Sequence, residues 1–293
     1  MTSEAIAPAG PATRHVVDPA AGLVVVSAVS SQLGAAIAVH VFSRLGAVGT
    51  AGGRVGFSAL FLVLATGLPR GRSRADWRPV IPLGITLAVM NSMFYLALDR
   101  LPLGVAVTVE FLGPIVLSVV TSRTRRHVTA AVLAALGIAL LGQGLGGSSA
   151  LGLVFAGLAG AAWVSYIVIG RRVARTWDGV SGLNAAMLIG ALGLVPVAAL
   201  DAGGALVSPT ALGACAAIGL LGSTFPYALD QMALRRVSAR AFSVLMSLHP
   251  AVGAIVGFLL LDQGLGVQTA VAIALVVTAS IVAARSERLP EPA

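Results

Sequence analysis

From residue 21 onward the sequence is a succession of apolar runs, each close to the roughly 20 residues that a helix needs to cross a bilayer. They are separated by loops too short to hold an extramembrane domain. The runs predict spans at 21–42, 46–68, 79–98, 102–121, 128–146, 151–170, 179–200, 211–233, 239–260 and 265–284, with Arg44 and Arg54 interrupting the first two. Only 10% of residues are charged and 57% are apolar, against about 25% charged in a soluble domain. The expectation is an all-α polytopic membrane protein of ten transmembrane helices. Thirty-five glycines suit it, because small residues let helices approach closely in lipid.

The basic residues are all arginine, and their placement sets the topology. Cytoplasmic loops collect positive charge. With the N-terminus inside, sixteen of the 19 fall on that side: Arg14, Arg70, Arg72, Arg74, Arg78, Arg123, Arg125, Arg126, Arg171, Arg172, Arg175, Arg235, Arg236, Arg240, Arg285 and Arg288. Arg44 and Arg100 fall on the other side, and Arg54 lies within a span. A wrong span count would scramble that alternation. Both termini are therefore expected in the cytoplasm, and the basic charge implies no nucleic-acid partner.

Ten spans divide into two fives, and an odd number per half forces the halves into opposite topology, as in many secondary transporters. The expected organisation is a disordered cytoplasmic tail at 1–20, a five-helix repeat at 21–146, a second at 147–284, and a cytoplasmic tail at 285–293. An ungapped offset of 136 pairs Ala97 with Ala233, Leu98 with Leu234, Arg100 with Arg236, Pro114 with Pro250 and Val116 with Val252. Pro114 and Pro250 both fall mid-span, where proline removes a backbone hydrogen bond and kinks a helix. Paired interruptions in two halves point to a binding site between them.

Polar residues in the hydrocarbon carry the remaining information. Glu110 stands at the centre of the apolar run Leu101–Ser122, where a charge costs about 2.5–3.5 kcal/mol and usually faces a cavity. Arg54 is its natural counter-ion, or else reaches to an interface with its long stem. Asp230 is either a cavity acid or an interfacial residue. His249, next to Pro250, either carries a proton or is a neutral group bonded to a neighbouring helix. Ser27 and Ser31, one turn apart beside Gln32, either line a pathway or fasten two helices. Asn91, Tyr95, Trp163, Tyr166 and Tyr227 are deep enough to be walls of a pocket rather than anchors at the membrane edge.

The lone Cys215 lies in an apolar run and excludes a disulfide framework and a cysteine-based metal site. No metalloprotease, serine-hydrolase or nucleotide-binding signature is present, so no cofactor is expected and any transport must be driven by a gradient.

The stretches NSMFYLALDRLPLGVAVTVEFLGPIV (Asn91–Val116) and STFPYALDQMALRRVSARAFSVLMSLHPAVGAIVGFLLLDQ (Ser223–Gln263) resemble the EamA branch of the drug/metabolite transporters, and within it the bacterial threonine/homoserine exporters. The likeness extends more weakly over nearly all of the chain after residue 20. The resemblance implies two inverted five-helix repeats around a central cavity, in a bacterial inner membrane. It also implies export of small amino acids by alternating access, with protons as the coupling ion. The family's glutamate falls on Glu110, followed by Phe111, Gly113 and Pro114; its second-span arginine falls on Arg54; its Pro-Tyr-acid segment falls on Pro226, Tyr227 and Asp230. His249 stands where that family has an acid before proline, and Gln263 where it has an acid after the ninth helix. Multidrug or dye export on the same fold is the alternative. A membrane-embedded enzyme using Glu110 and His249 on a lipid-linked substrate is the rival of another class.

Overall fold

The computed structural model describes residues 19–70, 72–121, 125–142, 147–234, 236 and 239–284. The expected tails fall outside them, except that helix already begins at Pro19. Every regular element among these residues is helical, as lipid demands of a chain that must satisfy its own backbone. The helices are α1 (Pro19–Thr66), α2 (Arg74–Leu98), α3 (Leu103–Glu110), α4 (Leu112–Thr121), α5 (Arg125–Gly142), α6 (Gly147–Val173), α7 (Ser181–Ala202), α8 (Pro209–Gly219), α9 (Phe225–Leu234), α10 (Ala239–Met246), α11 (His249–Leu260) and α12 (Val267–Ala284). Five are long and apolar enough to cross a membrane: Gly22–Thr66, Arg74–Leu98, Ser149–Val173, Ser181–Val207 and Pro209–Asp230. Shorter apolar helices cover Leu103–Leu117, Val128–Leu141, Val244–Leu260 and Val267–Ala283.

Helix α1 is two helices joined without a loop. Gly46 has φ 66° and ψ 171°, a region essentially closed to any residue with a Cβ, so the first two expected spans meet at this glycine. Helix α2 starts on a capping box: Asp76 N–H donates to Ser73 Oγ at 3.3 Å, and Ser73 N–H donates to Asp76 Oδ2 at 3.0 Å. The two orphan donors of the first turn are thereby satisfied reciprocally.

The expected spans 102–121 and 239–260 are each broken in the middle, at Phe111 and at Ser247–Leu248. Pro114 and Pro250 do not bend continuous helices. Each lies in the first turn of a new helix, Pro114 third in α4 and Pro250 second in α11. The offset of 136 carries Leu103–Glu110 onto Ala239–Met246, the bounds of α3 onto those of α10.

A third break was not visible in the sequence. Between α8 and α9 the residues Leu220–Thr224 form one wide turn of π-helix, in which Phe225 N–H reaches back to the Leu220 carbonyl. Pro226 sits just beyond it. Lacking an N–H, it leaves the carbonyl of Gly222 without a helical donor. Pro114 and Pro250 stand where an N–H would have no helical acceptor anyway, so there the breaks themselves end the helical ladder, α3 at Glu110 and α10 at Met246.

Small residues set the packing. Helix α1 lies against α7, α8 and α9, α2 against α6 and α7, α3 against α11, and α5 against α12. A Cβ on Gly104 would fall 2.7 Å from the Ala254 backbone, and one on Gly34 would fall 2.7 Å from that of Gly222. Two serines fasten α1 to the broken span: Ser27 Oγ–H donates to the Pro226 carbonyl at 3.3 Å and Ser30 Oγ–H to the Leu221 carbonyl at 2.8 Å. Cys215 is buried and unpaired between α8 and α1, beside Leu45 and Ala211.

Candidate functional site

The three breaks converge on one cavity. Glu110 and Met246, where α3 and α10 end, and Gly222 of the π-turn all line a cavity of about 120 Å³. Its wall also carries Ser31, Gln32 and Arg54 from α1, Asn91 from α2, Trp163 and Tyr166 from α6, Tyr227 and Asp230 from α9, and His249 from α11. Ten of the twelve polar and aromatic residues singled out in the sequence are thus brought together. The other two, Ser27 and Tyr95, are fully buried outside its lining.

Arg54 is held from three sides. Its Nε–H donates to Ser223 Oγ at 3.0 Å, an Nη2–H to the Gly222 carbonyl at 2.7 Å, and an Nη1–H to Tyr95 Oη at 3.5 Å. The Tyr95 ring centroid lies 5.5 Å from its Cζ. The expected Arg54–Glu110 ion pair does not form: the two share the cavity, but among the described residues no ion pair within 4.0 Å joins them. The guanidinium is turned instead to the π-turn and to Tyr95, whose oxygens accept from it. Among the described residues three of its five donors are engaged, which leaves two for something in the cavity.

Glu110, by contrast, has no hydrogen-bond or ion-pair partner for its carboxylate among the described residues. Asp230 Oδ1, His249 Nε2 and Gln32 Oε1 are buried without a partner among the described residues, on side chains that line the same cavity. Buried polar atoms are normally satisfied, so this cluster marks a place where something else supplies the hydrogen bonds. One side of the cavity is an aromatic ladder: Trp163 meets Phe111 edge-to-face at 4.6 Å, and Phe111 stacks obliquely on His249 at 5.4 Å. Asn91 is partly committed, since Nδ2–H donates to the Leu87 carbonyl at 2.8 Å.

Sequence reasoning left Met90 and Met246 off the wall. Met246 had a signal, as it lies four residues before a mid-span proline. Met90, next to Asn91 on α2, had none beyond that proximity, whereas Phe94, which also lines the cavity, stood out as an aromatic deep in its span. Among the described residues no cluster of His, Cys, Asp or Glu is arranged to hold a metal.

A cavity lined by ionisable groups and built where helices break inside an apolar bundle is the site of a membrane transporter rather than of a soluble enzyme. Residues 150–285 match the EamA-like transporter family. The threonine/homoserine exporter RhtA of Escherichia coli (strain K12) is 34% identical over 263 residues, which is 88% of this chain and 89% of that one. That of Salmonella typhimurium (strain SL1344) is 36% identical over 252 residues, 84% of this chain and 85% of that one. A solved crystal structure covering 90% of this chain and 97% of its own shares the fold, at a TM-score of 0.56 and 21% identity. The chain belongs to the EamA-like transporter family. It is a multi-pass bacterial membrane protein whose relatives are transporters, not enzymes, so the reading as an enzyme on a lipid-linked substrate is set aside.

Proposed function

We propose that the protein is a secondary exporter of small amino acids such as threonine and homoserine, working by alternating access with protons entering as the solute leaves. The observation that carries this reading is one small cavity holding groups of both signs that are not spent on each other. Arg54 keeps two donors for a carboxylate, while Glu110 and Asp230 supply acceptors for an ammonium group. A zwitterion needs both. The cavity, at about 120 Å³, is below the roughly 300–1,000 Å³ of pockets that take drug-sized ligands, which favours an amino acid over a bulky dye. The names of the relatives point the same way.

In this reading residues 21–146 and 147–284 are inverted five-helix repeats, and the coincidence of α3 with α10 under the offset of 136 supports that division. Both termini lie in the cytoplasm. Consistent with that topology, Arg72 in the loop before α2 donates to Asp178 Oδ2 at 3.2 Å and to the Thr176 carbonyl at 3.0 Å, in the loop after α6. Loops 2–3 and 6–7 must share a side of the membrane if the spans alternate as the arginines imply. Proton entry falls to Glu110, whose carboxylate has no hydrogen-bond or ion-pair partner among the described residues.

The test is uptake into inverted membrane vesicles with an imposed proton gradient, over labelled threonine, homoserine, other amino acids and dyes. Gradient-dependent accumulation of the hydroxy amino acids is expected. Accumulation of dyes alone would move the protein to the multidrug reading, and no accumulation of any solute would remove the exporter reading.

A further inference from the structure

Gln32 is 4% exposed and lines the cavity, and its Oε1 is buried with no hydrogen-bond partner among the described residues. Neither the zwitterion's carboxylate nor its ammonium group needs it, because Arg54, Glu110 and Asp230 serve those. A buried amide end left unpaired costs free energy that a packed apolar side chain of the same size would not. Gln32 packs directly against α11. A Cβ built on Gly253 falls 3.5 Å from Gln32 Oε1, and Gly253 is one helical turn from His249, on the same face. His249, 8% exposed, brings a second unpartnered atom, Nε2, to that wall. An amide accepts and donates, and an imidazole nitrogen does one or the other according to its tautomer. The smallest solute group that both donates and accepts is a hydroxyl.

We infer that Gln32, with His249 beside it, is the specificity-determining position where the cavity reads a hydroxyl on the side chain of its solute. This inference rests on the amino-acid reading above and adds the residue that tells a hydroxy amino acid from its deoxy analogue. Discrimination of that kind arises because buried polar groups go unpaired when the analogue lacks its hydroxyl.

The experiment uses the full-length protein in inverted vesicles and compares labelled threonine and homoserine with 2-aminobutyrate, the deoxy analogue of both. The wild type is expected to prefer the hydroxy amino acids by about tenfold, the worth of one hydrogen bond. Gln32→Met, close in shape and without the amide, is expected to bring that ratio to near one, with KM for threonine rising while KM for 2-aminobutyrate holds. Gln32→Glu, which keeps an acceptor, is expected to restore part of the preference. Gly253→Ala, which sets a methyl group against the amide, is expected to lower the ratio without removing any polar group, and it serves if Gln32→Met does not reach the membrane. A wild type that moves amino acids without preferring the hydroxyl overturns the inference and leaves the exporter reading standing. The same holds if the ratio survives both Gln32→Met and Gly253→Ala. A wild type that moves none of the three solutes overturns both.

Discussion

Gly222 gives its carbonyl to Arg54, at 2.7 Å and across 168 residues of sequence, because Pro226 has no N–H to claim it. The proline thus converts a helical acceptor into a ligand for a buried cation. The π-turn at Leu220–Thr224 is the local geometry that lets it happen, and π-turns inside α-helices often sit at functional sites.

Pro226→Ala tests that relationship directly. The new N–H can close onto the Gly222 carbonyl and draw the π-turn back toward regular helix, loosening one of the three groups that hold Arg54. Threonine transport in vesicles is expected to fall by about tenfold, in line with the roughly 1.5–3 kcal/mol of a hydrogen bond to a charged group. The protein should still fold, because alanine is the better helix former. Pro82→Ala, within α2 and exposed, is the control and is expected to leave transport unchanged.

Glu110→Gln separates a working carboxylate from a structural one. With no partner among the described residues, the carboxylate contributes little to holding the helices together, so thermal stability in detergent is expected to stay the same or rise. Transport driven by a proton gradient is expected to fall by at least tenfold, while gradient-independent exchange of solute across the membrane persists. A variant that loses stability but keeps coupled transport would make Glu110 a packing residue.

The fold was readable wherever the physics was local. Apolar runs of bilayer length predicted the helices, and proline at 114 and 250 predicted interruptions, because a missing N–H acts within one turn. The break at Phe111 nevertheless lies before Pro114 rather than on it, since the helix can restart with proline in its first turn, where the N–H would be unpaired anyway. Gly46 ends one helix and starts the next with no polar loop to announce it, so the gap expected between residues 42 and 46 marked the place but not its form. The site was legible by residue type, since few polar groups are tolerated in lipid and most of them had to share the cavity. Their pairing was not legible. Whether Arg54 meets Glu110 or the Gly222 carbonyl depends on where a distant π-turn lies, which no local pattern records.

The loop contact between Arg72 and Asp178 has two components of unequal weight. The Asp178 side chain is almost fully exposed, and exposed ion pairs typically contribute little. Trp177 is 3% exposed, meets Trp77 edge-to-face at 5.3 Å, lies under the Arg72 guanidinium at 5.1 Å, and donates its Nε1–H to the Asp76 carbonyl at 3.1 Å. Asp178→Asn is therefore expected to leave the melting temperature unchanged. Trp177→Ala is expected to cost about 3–5 kcal/mol, the usual range for emptying a buried aromatic site, and to appear as a large drop in melting temperature. Equal effects from the two variants would mean that the ion pair, not the indole, joins these loops.

Helix α6 offers a sharper comparison, because two glycines three residues apart make opposite predictions. Glycine inside a helix ordinarily costs about 0.5–1 kcal/mol relative to alanine, so replacing it should stabilise wherever there is room. Around Gly157 there is nothing within 4 Å of a built Cβ, whereas at Gly160 that Cβ would lie 2.7 Å from the Glu110 carbonyl oxygen. That oxygen belongs to the last residue of α3, at its junction with α4. It is backbone and cannot swing away as a flexible side chain would. Gly157→Ala is expected to raise the melting temperature slightly or leave it unchanged, with transport intact. Gly160→Ala is expected to lower it and to cut transport at least tenfold, because α6 must be pushed back from the residue that carries the cavity carboxylate. If Gly160→Ala behaves like Gly157→Ala in both measurements, α6 does not press on the broken span, and the placement of Glu110 by that contact fails.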